Sequence, residues 1–278
     1  MIRHHSFLKS AFAHLALACG AMFMLTPFIW MVLTSFKTPD EVFLPQFQAW
    51  PTSWGGTENY IAAFTQAPLL RLMFNGAIVS SAILVIQVII AAPCAYALAK
   101  IPFRGRSLLM GLVLFGLMIP IQVPALPIYI VFAHLKLLNS YTALIAPFSI
   151  SVFCIFLLRQ YFKTFPHEII EAARLDGYSE FGIVWCIVLP TAFPVIAAFS
   201  IFSVIAHWND LYWPLIVITD PDLATPPLGL MMFRQSSQAG GNIGALMAAG
   251  TIVIAPLVLA FLFAQAQFIR GLTVSGLK

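Results

Sequence analysis

Uncharged apolar runs longer than a bilayer is thick constrain this chain more than any other feature. From Ala11 to Leu33 there is no Lys, Arg, Asp or Glu, and about 20 apolar residues suffice for a helix to cross the hydrocarbon core. The run is longer than the core of a signal peptide, so it is read as a retained first span. Comparable runs follow at about 72–98, 108–132, 141–158, 189–217 and 243–263, the fifth interrupted by one acidic residue, Asp210. The sequence therefore predicts an all-α, polytopic membrane protein with six transmembrane helices in a single domain, residues 1–278. Composition agrees: 61% of the chain is hydrophobic and 9% is charged, against roughly 25% charged in a soluble domain.

Basic residues orient such a protein, because cytoplasmic loops carry an excess of Lys and Arg. With both termini inside, Arg3, Lys9, Lys100, Arg104, Arg106, Arg159, Lys163, Arg174, Arg270 and Lys278 face the cytoplasm. Lys37, Arg71, Lys136 and Arg234 then face out. The net charge of +4 is scattered over loops with no clustered stripe, which excludes a nucleic-acid footprint. Cys19, Cys94, Cys154 and Cys186 lie in or beside the spans without metal-ligand spacing and read as small core residues. Prolines inside the spans, among them Pro93, Pro120, Pro124, Pro127, Pro147, Pro194 and Pro256, each remove a backbone donor and kink a helix. Such breaks persist in a membrane where neighbouring helices or a water-filled cavity satisfy the freed groups. They fit a protein with a pathway.

Between the fourth and fifth spans lies the segment 163–190, the longest charge-bearing stretch of the chain. Pro166 suits an early helix position, and Glu168 to Leu175 are good helix formers. Gly177 stands where a left-handed residue ends a helix, and Ser179 caps a second short helix from Glu180. The small pair Ala172 and Ala173 lets another surface approach closely. An amphipathic loop resting on the membrane accounts for the same residues.

Glu171-Ala172-Ala173, Asp176-Gly177, Ile187, Leu189 and Pro190 resemble the EAA loop of ABC importer permeases. Tyr178, Val184 and Cys186 depart from the form common among sugar importers. The resemblance continues through Pro27 to Trp30, Ser35 to Phe43, Glu58-Asn59-Tyr60, Met118 to Val123, Trp208 to Leu215 and Phe268 to Thr273. Nearly the whole chain is thus similar to the second permease of the maltose-type, binding-protein-dependent carbohydrate importers. That resemblance implies a multi-pass protein of the bacterial cytoplasmic (inner) membrane, importing a sugar or sugar derivative. Its implied partners are a second homologous permease, two P-loop ATPase subunits and an extracytoplasmic solute-binding protein, all beside the lipid bilayer. ATP and Mg would be bound by the ATPases and no cofactor by this chain. Glu171, Ala172, Ala173, Asp176, Gly177, Leu189 and Pro190 are then the expected ATPase-coupling residues.

Two further groups are weighed as sites. Asp210 is an ionisable residue within a span, by default a functional candidate. With Trp208, Asn209, Tyr212 and Trp213 it offers the aromatic faces and polar groups that sugars need, or else an aromatic belt at the outer interface. The loop from Thr219 to Asn242 is long for a plain connector. Its resembled counterparts reach the binding protein, which makes Met231, Met232, Arg234 and Gly240 the expected contacts.

The alternatives have less in the sequence. A self-sufficient secondary transporter needs ionisable residues in its spans, where Asp210 is the one acidic candidate. Glycerol phosphate or a polyol as cargo suits the same importer type. No phosphate-cradling Gly-x-x-x-x-Gly-Lys-Ser/Thr run and no Gly-x-Ser-x-Gly elbow occur. His167-Glu168-Ile-Ile-Glu171 lacks the second His of a zinc helix. The chain is expected not to be an enzyme, nor to hold a metal.

Overall fold

The computed structural model describes the backbone of residues 2–42, 44, 46, 48–235 and 242–276, with side chains between residues 9 and 262. The described residues form helices and turns and no strand. In chain order the first helices are α1 (Ile2–Thr34), α2 (Pro39–Val42), α3 (Gly56–Gln66), α4 (Leu69–Lys100), α5 (Arg106–Gly116), α6 (Gln122–His134) and α7 (Tyr141–Ile145). There follow α8 (Val152–Thr164), α9 (His167–Leu175), α10 (Glu180–Gly182), α11 (Leu189–Thr191), α12 (Phe193–Trp208), α13 (Tyr212–Val217), α14 (Pro226–Gln235) and α15 (Ile243–Gly276).

Three stretches are each long and apolar enough to cross a membrane: Lys9–Thr34, Leu69–Lys100 and Ile243–Leu262. They cover the first, second and last expected spans. Two bent pairs raise the number to five if each is one span, namely Tyr141–Phe148 with Val152–Thr164 at 42° and Glu180–Thr191 with Phe193–Trp208 at 81°. The run expected as one helix over 108–132 is divided into α5 and α6, each too short to cross alone. Pro120 lies in the break. It has no N–H to donate and its ring crowds the carbonyl four residues back, at Gly116, where α5 stops.

The residues group into two compact units. One comprises Met1–Leu69 and Leu230–Ala255. Here the end of α1 is closed by local bonds: Ser35 N–H donates to the Met31 carbonyl at 3.0 Å, and the Ser35 hydroxyl to the Val32 carbonyl at 2.7 Å. Buried Asn59, on α3, donates to the carbonyls of Ser35 and Lys37 at 2.9 and 2.7 Å. Gly55 makes that approach feasible, since a β-carbon there would lie 2.6 Å from the Lys37 carbonyl oxygen. Glu41 of α2 is buried, and its carboxylate accepts from Thr52 N–H at 2.8 Å and the Ser53 hydroxyl at 2.9 Å. Burial alone would push that carboxyl up; the bonds from Thr52 and Ser53 outweigh it and hold it below its ordinary range.

The other unit comprises Leu70–Gly229 and Pro256–Lys278. Its core joins Ala91, Ala95 and Tyr96 of α4 to Leu158 and Phe162 of α8, Ile170 and Ala173 of α9, and Phe199 of α12. The small residues of α4 let the other helices pack closely. Lys100, Arg106 and Arg159 cover the end of α4: Arg106 donates to the carbonyls of Leu98 and Ala99, and Arg159 to that of Leu98. Lys100 reaches the Phe165 carbonyl. Cations thus satisfy carbonyls that a helix end leaves free.

Candidate functional site

The expected pair of short helices forms. α9 ends in a Schellman turn: Tyr178 N–H bonds the Ala173 carbonyl at 3.0 Å, and Gly177 N–H that of Arg174 at 3.1 Å. Gly177 has φ +85°, a region costly for any residue with a β-carbon. The Ser179 hydroxyl then accepts from Gly182 N–H at 3.2 Å and caps α10. Ile183–Val188 winds as a π-helical turn, a rare geometry frequent at functional sites. Pro190 follows it in α11, ahead of the 81° bend into α12.

This segment is anchored from beneath and open above. Ile170, Ala173, Ile183, Val184 and Val188 are buried in the core shared by α4, α8 and α12. Tyr96 of α4 donates its hydroxyl to Glu180 at 2.8 Å, and Arg174 pairs with the same carboxylate at 2.7 Å. Hydrogen bonding to Glu180 raises the Arg174 guanidinium above its ordinary value. Glu171 and Asp176 are exposed, Glu171 beside the His167 ring at 3.4 Å. The small pair divides: Ala173 is buried within this chain, whereas Ala172 is exposed. Leu189 is half-buried and Pro190 exposed.

Three apolar side chains that the sequence reading did not single out share the open surface. Leu175 is 89% exposed, Phe181 67% and Ile169 45%. Their signal was present, as apolar residues on a charged segment, but a helix of this length buries one face and leaves others open. The segment offers carboxylates for cationic or N–H partners and exposed apolar side chains for a complementary surface.

The residues around Asp210 are partly consumed by the fold. Trp213 is 2% exposed and donates its indole N–H to the Ala143 carbonyl at 2.8 Å. Trp208 is buried as well. Asp210 Oδ1 accepts from Trp213 N–H at 3.3 Å, and Asn209 donates to the Ile205 carbonyl at 2.8 Å. Of the five, Asn209 and Tyr212 are exposed and Asp210 is half-buried.

The family model described as "Binding-protein-dependent transport system inner membrane component" matches residues 87–274. The chain belongs to that family. It is 37% identical over 254 residues to the probable ABC transporter permease protein YurM of Bacillus subtilis, covering 91% of this chain and 83% of that protein. It is 35% identical to the arabinooligosaccharides transport system permease protein AraQ of Halalkalibacterium halodurans, covering 91% and 90%. One solved structure, of a bacterial ABC transporter involved in the import of the acidic polysaccharide alginate, superposes with a TM-score of 0.82 at 21% identity. That superposition covers 94% of this chain and 96% of the other, and it extends the agreement to the fold. The relatives are transport permeases by name, not enzymes, and the protein is a multi-pass component of the inner membrane. ABC transport systems of this binding-protein-dependent kind work with an ATPase and a binding protein.

In this permease the stretch from Thr219 to Asn242 is largely built. It carries a short 3-10 turn, Pro221–Leu223, and α14. Asn139, at φ +53°, accepts from the N–H groups of Thr219 and Asp220 at 2.6 and 3.1 Å. Asn75 donates to the carbonyls of Asp222 and Ala224 at 3.0 and 2.9 Å, and Arg71 pairs with Asp222 at 2.9 Å. Met231 and Met232 are half-buried on α14 and Arg234 is exposed. Gly240 lies outside the described residues.

Another polar group went unread. Gln87 of α4 accepts from the Ser203 hydroxyl and donates to the Phe148 carbonyl, each at 2.8 Å. The His207 ring lies 3.4 Å away. The Phe148 carbonyl is free for this bond because the helical path breaks there, between α7 and α8. An amide deep in the apolar α4 run was the available signal.

Proposed function

We propose that this permease is one of two membrane halves of an ATP-driven importer of saccharides or sugar derivatives. In this reading it has six spans, with α5 and α6 together forming the third and the bent pairs the fourth and fifth. Both termini lie in the cytoplasm. Support comes from the excess of Lys and Arg that this orientation places inside. The cargo class follows the arabinooligosaccharide relative. A second homologous permease, two P-loop ATPases carrying ATP and Mg, and an extracytoplasmic binding protein complete the system.

The observation that carries the mechanism is the anchoring of α9 and the π-helical turn in the core shared by α4, α8 and α12. A partner gripping the open surface moves the spans with it as a rigid body. Glu171 and Asp176 meet polar groups of the ATPase, and Ala172 allows close approach. Gly177 sets the turn, Ala173 fixes α9 to the spans, and Leu189 and Pro190 carry the movement into α12. Asn209, Asp210 and Tyr212 face the pathway in this scheme, with Trp208 and Trp213 as their support. Met231, Met232, Arg234 and Gly240 are the contacts assigned to the binding protein in this reading.

The test is recovery of the ATPase with this chain from detergent-solubilised membranes, alongside ATP-driven uptake in liposomes. Leu175→Asp changes a side chain that the protein's own core does not use. It is expected to cut ATPase recovery and uptake at least tenfold while the permease pair stays assembled. A chain that purifies alone and moves solute without ATP overturns the reading.

A further inference from the structure

We propose that a cavity beside the C-terminal end of α1 binds a neutral, polyhydroxylated molecule of the saccharide or polyol class, an inference that rests on the cargo reading above. The cavity measures about 450 Å³ and its polar wall is made by Trp30, Thr34, Lys37, Glu41, Gln46 and Gln48. That volume lies within the range of small-molecule sites. All six residues belong to one compact unit.

The wall holds polar capacity beyond what the fold uses. Lys37 is 3% exposed, and among the described residues it forms no ion pair. Its ammonium donates to the Gln48 carbonyl and stands 4.6 Å above the centre of the Trp30 ring. A π-face stabilises a desolvated cation, but an ammonium has three donors, so it retains hydrogens for a guest. Thr34 is buried too, and among the described residues its hydroxyl has no hydrogen-bond partner. Buried polar groups are ordinarily partnered. A buried ammonium with hydrogens left to donate and a buried hydroxyl without a partner among the described residues stand on one cavity wall, two independent openings for a hydrogen-bonding guest.

The same wall selects the chemistry of that partner. Glu41 is held in place by Thr52 and Ser53 and opposes any anionic guest, while Lys37 opposes a cationic one. Hydroxyl groups satisfy both, accepting from the ammonium and donating to the carboxylate. The amides of Gln46 and Gln48 add a donor and an acceptor apiece. A phosphate headgroup or a metal cation suits one charge and is repelled by the other. The site is distinct from the residues around Asp210, which lie in the other unit.

The test uses the assembled importer in nanodiscs without its binding protein, titrated with arabinotriose, sorbitol and sn-glycerol 3-phosphate. Arabinotriose or sorbitol is expected to bind saturably and at least tenfold more tightly than sn-glycerol 3-phosphate. Lys37→Met and Gln46→Ala are each expected to weaken the neutral ligand at least tenfold. Gln46→Ala guards against misfolding, since no fold contact of that side chain is at stake in the α1 cap. No saturable binding means a water-filled cavity and overturns the proposal. So does unchanged binding in both variants, or tighter binding of sn-glycerol 3-phosphate or of anionic phospholipid added to the nanodisc. ATP-driven uptake of arabinotriose, measured on the same complex with its binding protein restored, separates the two ideas. Uptake without cavity binding removes this site alone, whereas cavity binding without uptake removes the cargo reading alone.

Discussion

At the scale of single residues, Gly177 is where sequence and geometry meet most directly. Its φ of +85° closes the Schellman turn, and a β-carbon built there meets nothing within 4 Å. Substitution therefore costs backbone conformation and no packing, about 1–2 kcal/mol for an ordinary L-residue. Gly177→Ala should accordingly speed amide exchange of Gly177 and Tyr178, whose N–H groups close the turn. Gly177→Asn, which tolerates the left-handed region better, should fall between the two. Hydrogen-exchange mass spectrometry over residues 167–182 reads this directly, and equal protection in all three proteins would refute it. Tyr178 shows the opposite case at this scale. It departs from the sugar-importer form, yet the turn uses its backbone N–H, which any residue but proline supplies.

Among the helices, the prolines had different effects that no count of them distinguished. Pro93 and Pro256 lie inside continuous α4 and α15, whereas the chain breaks at Pro120. What differs is the surroundings. On either side of Pro120 the N–H groups of Met118, Ile119 and Val123 turn to three-residue bonds, with carbonyls of Phe115, Gly116 and Pro120. Pro120→Ala restores a donor and removes the clash, so α5 and α6 should join into one helix. Spin labels at positions 112 and 131 would then stand roughly 28 Å apart, from 19 residues at 1.5 Å rise. A pulsed-EPR distance unchanged from the otherwise native protein would show that neighbouring packing, and not Pro120, holds the break. Uptake is expected to fall with the break removed, because a straightened helix cannot follow the bent path of its neighbours.

For the whole molecule, the orientation of the spans is the statement on which the coupling scheme depends. A cysteine-free variant carrying Leu175→Cys should react with a membrane-impermeant maleimide in inside-out vesicles and not in right-side-out spheroplasts. A variant carrying Arg71→Cys should do the reverse. The opposite pattern would place the α9 surface outside, away from ATP, and end the coupling reading. Both side chains are exposed, so labelling reports sidedness and not burial.

The sequence alone determined where the long apolar helices α1, α4 and α15 run, because an uncharged run in lipid must satisfy its backbone internally and a helix does so from local residues; it did not show the break at Pro120, nor α3 and α14. It also determined the stop at Gly177 and the cap at Ser179, each a bond between residues three to five apart. Composition and the EAA-like motif carried the family. Tertiary structure alone decided which members of a motif remain available. Trp213 read equally as a sugar platform or as part of an aromatic belt, and nothing local shows that its indole N–H bonds Ala143, 70 residues away. Ala172 and Ala173 read as equivalents until the core took one of them. Lys37 read as one outward charge among four, and the fold buried it over Trp30 beside a cavity. In each case burial depends on what distant segments bring to the same place, such as Asn75 holding Ala224 across 149 residues, and local pattern carries no record of those meetings.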